Sequence, residues 1–305
     1  MSILRRRAMG KVVVAGSINM DVIARVENLP ETGATIHGKS VEYLPGGKGL
    51  NQAVAAAKMG VETILVGRLG NDSFADILQD FIKRHNIGTD YIKRSDKESG
   101  TAFVNVADNG QNTIVVVAGS NSDLKSDDVS AISLGQDDVV ISQFEIPIAT
   151  ILALFTKAKA VGARTILNPS PIQPIPDELL SVVDVLIVNE AELAFIKGKG
   201  ITAETPLAEV AAAAEQIKLR PSQAVIVTLG SKGALVAADN VYFEKACKVC
   251  AIDTVGAGDC FAGVIASELV QGKTLRESVR KANKAASICV TRKGAAPAMP
   301  NKNEL

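Results

Sequence analysis

Asp253-Thr254-Val255-Gly256-Ala257-Gly258-Asp259 is the stretch on which the reading of this chain turns. The residues before it, Cys247 to Ile252, are predicted as a strand. Those after it, Cys260 to Val270, have apolar side chains at 261, 264, 265 and 269, a helical spacing. Gly272 then stands where a glycine is expected at a helix C-terminus. The glycines therefore fall at a strand-to-helix turn, beside the first free N–H groups of a helix. Such a turn binds anions, because the N–H groups converge and the helix dipole adds positive potential. Glycine lets that backbone approach a ligand closely. An aspartate in an anion site would repel the anion. Asp259 is therefore expected to be a base that faces a nucleophile while the N–H groups face a phosphate. A plain strand–turn–helix connection with a capping aspartate is the alternative, and seven residues alone do not choose between the two.

The rest of the chain bears on that choice. Its 305 residues suit one large α/β domain with an appendage. Hydrophobic residues make up 47% and tryptophan is absent, so the core is aliphatic. Lys+Arg and Asp+Glu are both 33, which leaves no net charge to attract nucleic acid. The four cysteines, Cys247, Cys250, Cys260 and Cys289, are too few for a disulfide framework. Cys247 and Cys250 form a C-x-x-C, but on a strand residues three apart face opposite sides, which argues against a metal or redox site. The apolar run after Arg5, Arg6 and Arg7 is too short for a signal peptide, and no stretch is long enough to span a membrane. Residues 1–10 are expected to be an N-terminal extension, and the protein to be cytoplasmic.

In chain order, Lys11 to Ala15 is a strand that ends at Gly16-Ser17 and leads into Ile18-Asn19-Met20-Asp21. Ligands of open α/β sheets bind at that carboxyl edge. Val22 to Val26 and Thr35 to Leu44 are predicted strands with no helix between them. Gly100 to Val106 and Thr113 to Val117 form a hairpin across Asp108-Asn109-Gly110. These two β excursions are expected to pair as a small projecting sheet, the shape of a lid. Glu62 to Val66 is a strand and Asp72 to His85 an amphipathic helix. Beyond Asp138 strands and helices alternate: strand Val139 to Ser142, helix Ala149 to Ala160, strands Thr165 to Leu167 and Val185 to Val188, helix Leu207 to Lys218, strand Ala224 to Thr228. The alternation predicts an α/β fold, a three-layer sandwich around a mainly parallel central sheet.

A second glycine-rich helix start, Pro45-Gly46-Gly47-Lys48-Gly49-Leu50-Asn51, precedes an alanine-rich helix over Gln52 to Lys58. It lacks the glycine spacing and Gly-Lys-Ser/Thr ending of a Walker A loop. Close packing alone explains its glycines but not Lys48 and Asn51. Gln143-Phe144-Glu145, Asn189-Glu190-Ala191-Glu192 and Thr228-Leu229-Gly230-Ser231-Lys232-Gly233 each follow a predicted strand. Any one of them could be turn chemistry. Five polar or glycine-rich segments at one sheet edge point instead to a site.

Gly46 to Asn51, Asp253 to Asp259 and Asn189 to Glu192, in this order and spacing, resemble the ribokinase family of carbohydrate kinases. Gly16 to Asp21 and Thr291 to Ala295 extend the resemblance, which runs from about Lys11 to Pro300. It implies one domain over 11–300, with lid segments at about 18–45 and 98–118. It implies ATP-dependent phosphorylation of a pentose, D-ribose first, with 2-deoxyribose, another sugar or a nucleoside as alternatives. Asn19, Met20, Asp21, Gly47, Lys48, Gly49, Leu50, Asn51 and Glu145 would bind the sugar. Asn189, Thr228, Leu229, Gly230, Ser231, Lys232, Gly233 and Asn283 would bind ATP. Gly256, Ala257 and Gly258 would form the anion hole beside the base Asp259. Glu192 would act on Mg²⁺ through water. Asp253, Val255, Cys289, Arg292, Gly294 and the position of Ala298 would hold K⁺, although Ala298 lacks the side-chain oxygen frequent there. A homodimer through the lid is also implied. The chain ends at Leu305 soon after the last motif, so a terminal helix is expected to be absent. A non-catalytic binder would not need Asp259, and a nicotinamide dehydrogenase would need a third glycine after Gly258.

Overall fold

The computed structural model describes residues 10–198 and 200–305. The expected N-terminal extension, apart from Gly10, lies outside them. The chain begins with β1 (Val12–Ala15), β2 (Asn19–Val26), β3 (Ser40–Gly46), α1 (Lys48–Lys58), β4 (Thr63–Leu69), α2 (Ser73–Arg84) and β5 (Gly88–Arg94). Then come β6 (Gly100–Ala107), β7 (Asn112–Val117), α3 (Ser126–Ser130), β8 (Val139–Gln143), α4 (Ile148–Val161), β9 (Arg164–Asn168) and α5 (Asp177–Ser181). It closes with β10 (Val185–Asn189), α6 (Glu190–Lys197), α7 (Leu207–Gln216), β11 (Ala224–Thr228), β12 (Gly233–Ala237), β13 (Val241–Lys245), α8 (Ala257–Val270) and α9 (Leu275–Cys289).

The strands form two sheets, of order β13-β12-β11-β10-β9-β8-β1-β4-β5 and β3-β2-β6-β7. The large sheet is parallel from β5 to β11, and β12 and β13 add antiparallel strands at one edge. Side chains of a strand alternate between faces, and β1 shows how this divides the core. Val12 and Val14 join a cluster with residues of α1, α2, α8 and α9. Val13 and Ala15 join another with residues of α3 to α7. The result is the expected sandwich of helices, sheet and helices. The chain leaves β1 for β4 on one side and reaches β8 on the other. The carboxyl end of β1 is thus the point where strand order reverses, the usual ligand crevice of such sheets.

The two β excursions do pair. In the second sheet β2 is central, antiparallel to β3 and parallel to β6, and β6 is antiparallel to β7. The hairpin turns at Gly110, whose φ of 84° suits glycine.

Some elements depart from the sequence expectations. Cys247 to Ile252 is not a strand: the ladder between β12 and β13 ends at Gly233 and Lys245, and the chain beyond Lys245 is irregular. Alternating apolar residues form a strand only where a neighbouring strand accepts their backbone bonds, and the strand lies just upstream at β13. Cys247 and Cys250 are both exposed on this irregular segment, so the argument from opposite strand faces does not apply to them. The strand predicted over Thr35 to Leu44 starts only at Ser40, the first residue with a partner on β2. The sequence reading passed over β5, β12, β13 and the helices α3, α5 and α6. The helix predicted over Asp72 to His85 is α2 with those two residues as its caps.

Candidate active site

Gly256 caps α8 at φ 76°, a left-handed conformation. A Cβ there would also lie 2.7 Å from that of Ala295. Ala257 N–H bonds back to Thr254 C=O at 3.3 Å, and Cys260 N–H to Gly256 C=O at 2.8 Å. A helix leaves its first N–H groups without helical partners, so the start of α8 presents donors. Gly258 differs from Gly256: a Cβ on it would meet nothing within 4 Å. Its lack of a side chain answers to no packing neighbour and keeps open the space beside Asp259.

Asp259 is buried in the first turn of α8. Its Oδ2 accepts from Asn51 Nδ2 at 3.0 Å and its Oδ1 from Gln52 Nε2 at 3.1 Å, both on α1. Gln52 Oε1 accepts from Gln143 Nε2 at 2.7 Å. The sequence reading named Asn51 and missed the two glutamines. Gln143 carried a signal, a polar residue directly after the strand predicted over Val139 to Ser142.

Two clefts open at the carboxyl edge. The larger, about 490 Å³, is lined by residues of the second sheet and by Asn19, Asp21, Gly47, Lys48, Asn51, Glu145, Gly256 and Asp259. The smaller, about 130 Å³, is lined by Asn189, Glu192, Thr228 and Gly258 among others. Lys48, Gly256 and Asp259 line both.

In the larger cleft Glu145 Oε2 accepts from Ser17 Oγ at 2.5 Å and from Lys48 N–H at 3.2 Å. Asn19 Oδ1 accepts from Asn121 Nδ2 at 2.7 Å. Ser17 and Asn121, neither of them among the candidate site residues read from the sequence, thus hold two of the expected ligands. Burial, reinforced by the Glu145 and Asp259 carboxylates, pushes the Asp21 carboxyl up to about 7. For Lys48 burial acts against the charge, but Asp259, Glu145 and Glu192 outweigh it and raise the ammonium above its usual value. Met20 and Leu50, also expected at the sugar, are fully buried in the core instead and line neither cleft. Gly49 packs on the β1 end, where a Cβ would come within 2.5 Å of Gly16.

On the other side Asn189 and Glu192 bind each other as a capping box: Glu192 N–H donates to Asn189 Oδ1 at 2.8 Å and Asn189 N–H to Glu192 Oε2 at 2.9 Å. This holds the Glu192 carboxylate beside the smaller cleft. Burial raises its pKa, against lowering by the Asn189 N–H, Ser170 and Lys48. Leu229 packs in the core, and Gly230–Lys232 form a 3₁₀ turn after β11. Gly230 and Gly233 have positive φ there. Asn283 does not line either cleft; its Nδ2 donates to Glu244 C=O at 3.0 Å. The carboxylate oxygens of Glu192 and Asp259, which line the smaller cleft, are donors that fit a hard divalent cation.

Asp253 joins the turn to the segment after α9. Its Oδ1 accepts from Val255 N–H at 3.0 Å and its Oδ2 from Gly294 N–H at 2.9 Å. Val290 C=O accepts from Ile252 N–H at 2.7 Å. Cys289 and Ala298 are buried, Val255 exposed. Both Asp253 carboxylate oxygens are thus taken up by main-chain N–H groups. Among the described residues no cluster of three or more His, Cys, Asp or Glu could hold a metal.

The pfkB family carbohydrate kinase pattern matches residues 9–302. The ribokinase of Staphylococcus aureus (strain COL) is 37% identical over 302 residues, 97% of this chain and 98% of that protein. The structure of Arabidopsis thaliana ribokinase complexed with ribose and ATP superposes with a TM-score of 0.86 at 32% identity, covering 96% of each chain. That of Thermotoga maritima ribokinase gives 0.85 at 33%, covering 96% of this chain and 97% of that one. This chain belongs to the pfkB family of carbohydrate kinases.

Proposed function

We propose that the chain transfers the γ-phosphoryl group of ATP to the primary hydroxyl of D-ribose, forming D-ribose 5-phosphate. The observation that carries this reading is the junction of the two clefts at Lys48, Gly256 and Asp259. A sugar under the second sheet and a nucleotide over Gly258 would meet there, in line with Asp259.

Asn19, Asp21, Lys48, Asn51 and Glu145 supply acceptors and donors in the larger cleft. A buried sugar hydroxyl needs both, and vicinal diols fit such pairs. Asp259, held by Asn51 and Gln52, takes the hydroxyl proton as the oxygen attacks. The N–H groups at the start of α8 and the Lys48 ammonium meet charge that develops on the phosphoryl oxygens. Mg²⁺, with Glu192 acting on it through water, supplies further neutralisation when bound. Asp253 and carbonyls near Val255, Cys289, Arg292 and Gly294 would hold K⁺, which supplies a fixed positive charge under the turn.

The second sheet acts as a lid. Asn19, Asp21, Ile23 and Arg25 on β2, Ala102, Val104 and Val106 on β6, and Asn112, Ile114 and Val116 on β7 alternate onto the face that lines the cleft. Its closure would keep water from competing for the phosphoryl group. A cytoplasmic setting is part of the same proposal.

The test is ADP release with ribose, 2-deoxyribose, fructose and adenosine as acceptors. Ribose should give the highest kcat/KM, and preference for any of the other three would overturn the assignment.

A further inference from the structure

The Asp259 carboxylate is held from two sides. Asn51 lines the larger cleft beside it. Gln52 and Gln143 approach from behind, both fully buried, and line neither cleft.

A carboxylate can only accept hydrogen bonds, and an amide has one donor end and one acceptor end. Gln52 must therefore turn its NH₂ to Asp259 Oδ1 and its carbonyl to Gln143. Gln143 must then donate, as it does at 2.7 Å. One orientation of each amide satisfies the chain from β8 through α1 to α8. Were Gln52 to turn over, its carbonyl oxygen would face the carboxylate. Gln143 opposes this by donating to the Gln52 carbonyl at 2.7 Å, and Asn168 Oδ1, 3.5 Å from Gln52 Nε2, opposes it from the other end. Gln143 is itself confined: Gly16 packs so closely that a Cβ there would lie 2.2 Å from Gln143 Oε1.

We propose that Gln143, acting through Gln52, is a positioning residue that fixes the Asp259 carboxylate as a proton acceptor aimed at the sugar hydroxyl. The inference rests on the reading of Asp259 as the base. It adds two residues that never touch substrate and that fix the base in register with the attack.

The test measures kcat, sugar KM and Tm for Gln143→Met, alone and combined with Asp259→Ala. Gln143→Met keeps the bulk and removes the donor. It should lower kcat about 10–100-fold, the scale of a misplaced reactive group, with sugar KM within about twofold of wild type. In the Asp259→Ala background it should cause no further loss, because groups that act as one unit are not additive. If Gln143→Met fails to fold, Gln143→Leu carries the same test, since it too has no group that can donate to Gln52. Wild-type kcat in a folded Gln143 variant would overturn the proposal. So would an equal loss of residual activity with and without Asp259, which marks a purely structural tie. Wild-type turnover by Asp259→Ala alone would remove the base, and the proposal with it.

Discussion

Glycines of the two motifs are glycine for different reasons. Gly256 needs a left-handed backbone against Ala295, and Gly49 needs contact with Gly16. Gly258 has open space where a Cβ would stand. A packing role would make Gly258→Val destabilising, whereas a ligand role would leave the fold intact and fill the anion site. We expect an unchanged Tm and a loss in kcat of about 10²–10³-fold, the scale of one lost oxyanion donor. Wild-type kcat in a folded variant would refute the role. Asp21 yields a pH prediction. Its carboxyl is pushed from 3.8 to about 7 in the fold by burial and by Glu145 and Asp259. Between those values the native state holds a proton that the unfolded chain has released, so stability falls as pH rises from about 4 through about 7. Asp21→Asn cannot ionise. Its Tm should exceed that of wild type at pH 8 and approach it at pH 5, in the absence of ligands. A gap that does not change with pH would show that Asp21 is not the titrating group.

At the scale of elements, the second sheet leaves apolar surface unpaired. All six residues of β7 are exposed. On the face away from the cleft Val22 packs against the core and Tyr43 lies against Phe74 of α2, whereas Phe103 and Val115, in register on β6 and β7, are exposed. Exposed edges and apolar rows favour association with a second copy. We expect a homodimer in sedimentation at micromolar concentration and a monomer for Val115→Glu. A wild-type monomer would reject the dimer while leaving the lid intact. The turn into α8 is tied by Asp253 to the segment after α9. A cation there would fix the backbone that aims the α8 N–H groups without touching the sugar. Activity should therefore rise with K⁺ above Na⁺ or tetramethylammonium at constant ionic strength, mainly in kcat, and Asp253→Asn should weaken the response. Equal rates in all three salts would exclude a functional cation site.

For the molecule as a whole, the arrangement of sheets separates the two ligands. Glu145 lines only the larger cleft, after β8 and with residues of the second sheet, whereas Asn189 and Thr228 line only the smaller one, after β10 and β11. Glu145→Ala should then raise the sugar KM and leave ATP affinity nearly unchanged. About 10-fold is expected for a lost hydrogen bond to a charged acceptor. A fall in ATP affinity with an unaltered sugar KM would assign that strand end to the wrong ligand.

Local chemistry made much of this protein legible in its sequence. Strand and helix periodicity, Asp-Asn-Gly in a hairpin and glycines before helices are short-range signals, so the layers, the second sheet and Asp259 at the start of α8 could be read from them. Asn19, Asp21, Lys48, Asn51, Glu145, Asn189 and Thr228 were read from motifs at strand ends, and the fold brings them to the two clefts. What depends on a distant partner could not be read in this way. Cys247 to Ile252 has a strand's composition, yet no neighbouring strand lies beside it. Met20 and Leu50 sit inside motifs, but strand and helix rotation turn them into the core. Asp259 meets Gln52 across 207 positions and Gln52 meets Gln143 across 91. Their coupling depends on the packing of β8, α1 and α8, which is decided by long-range burial, not by local propensity.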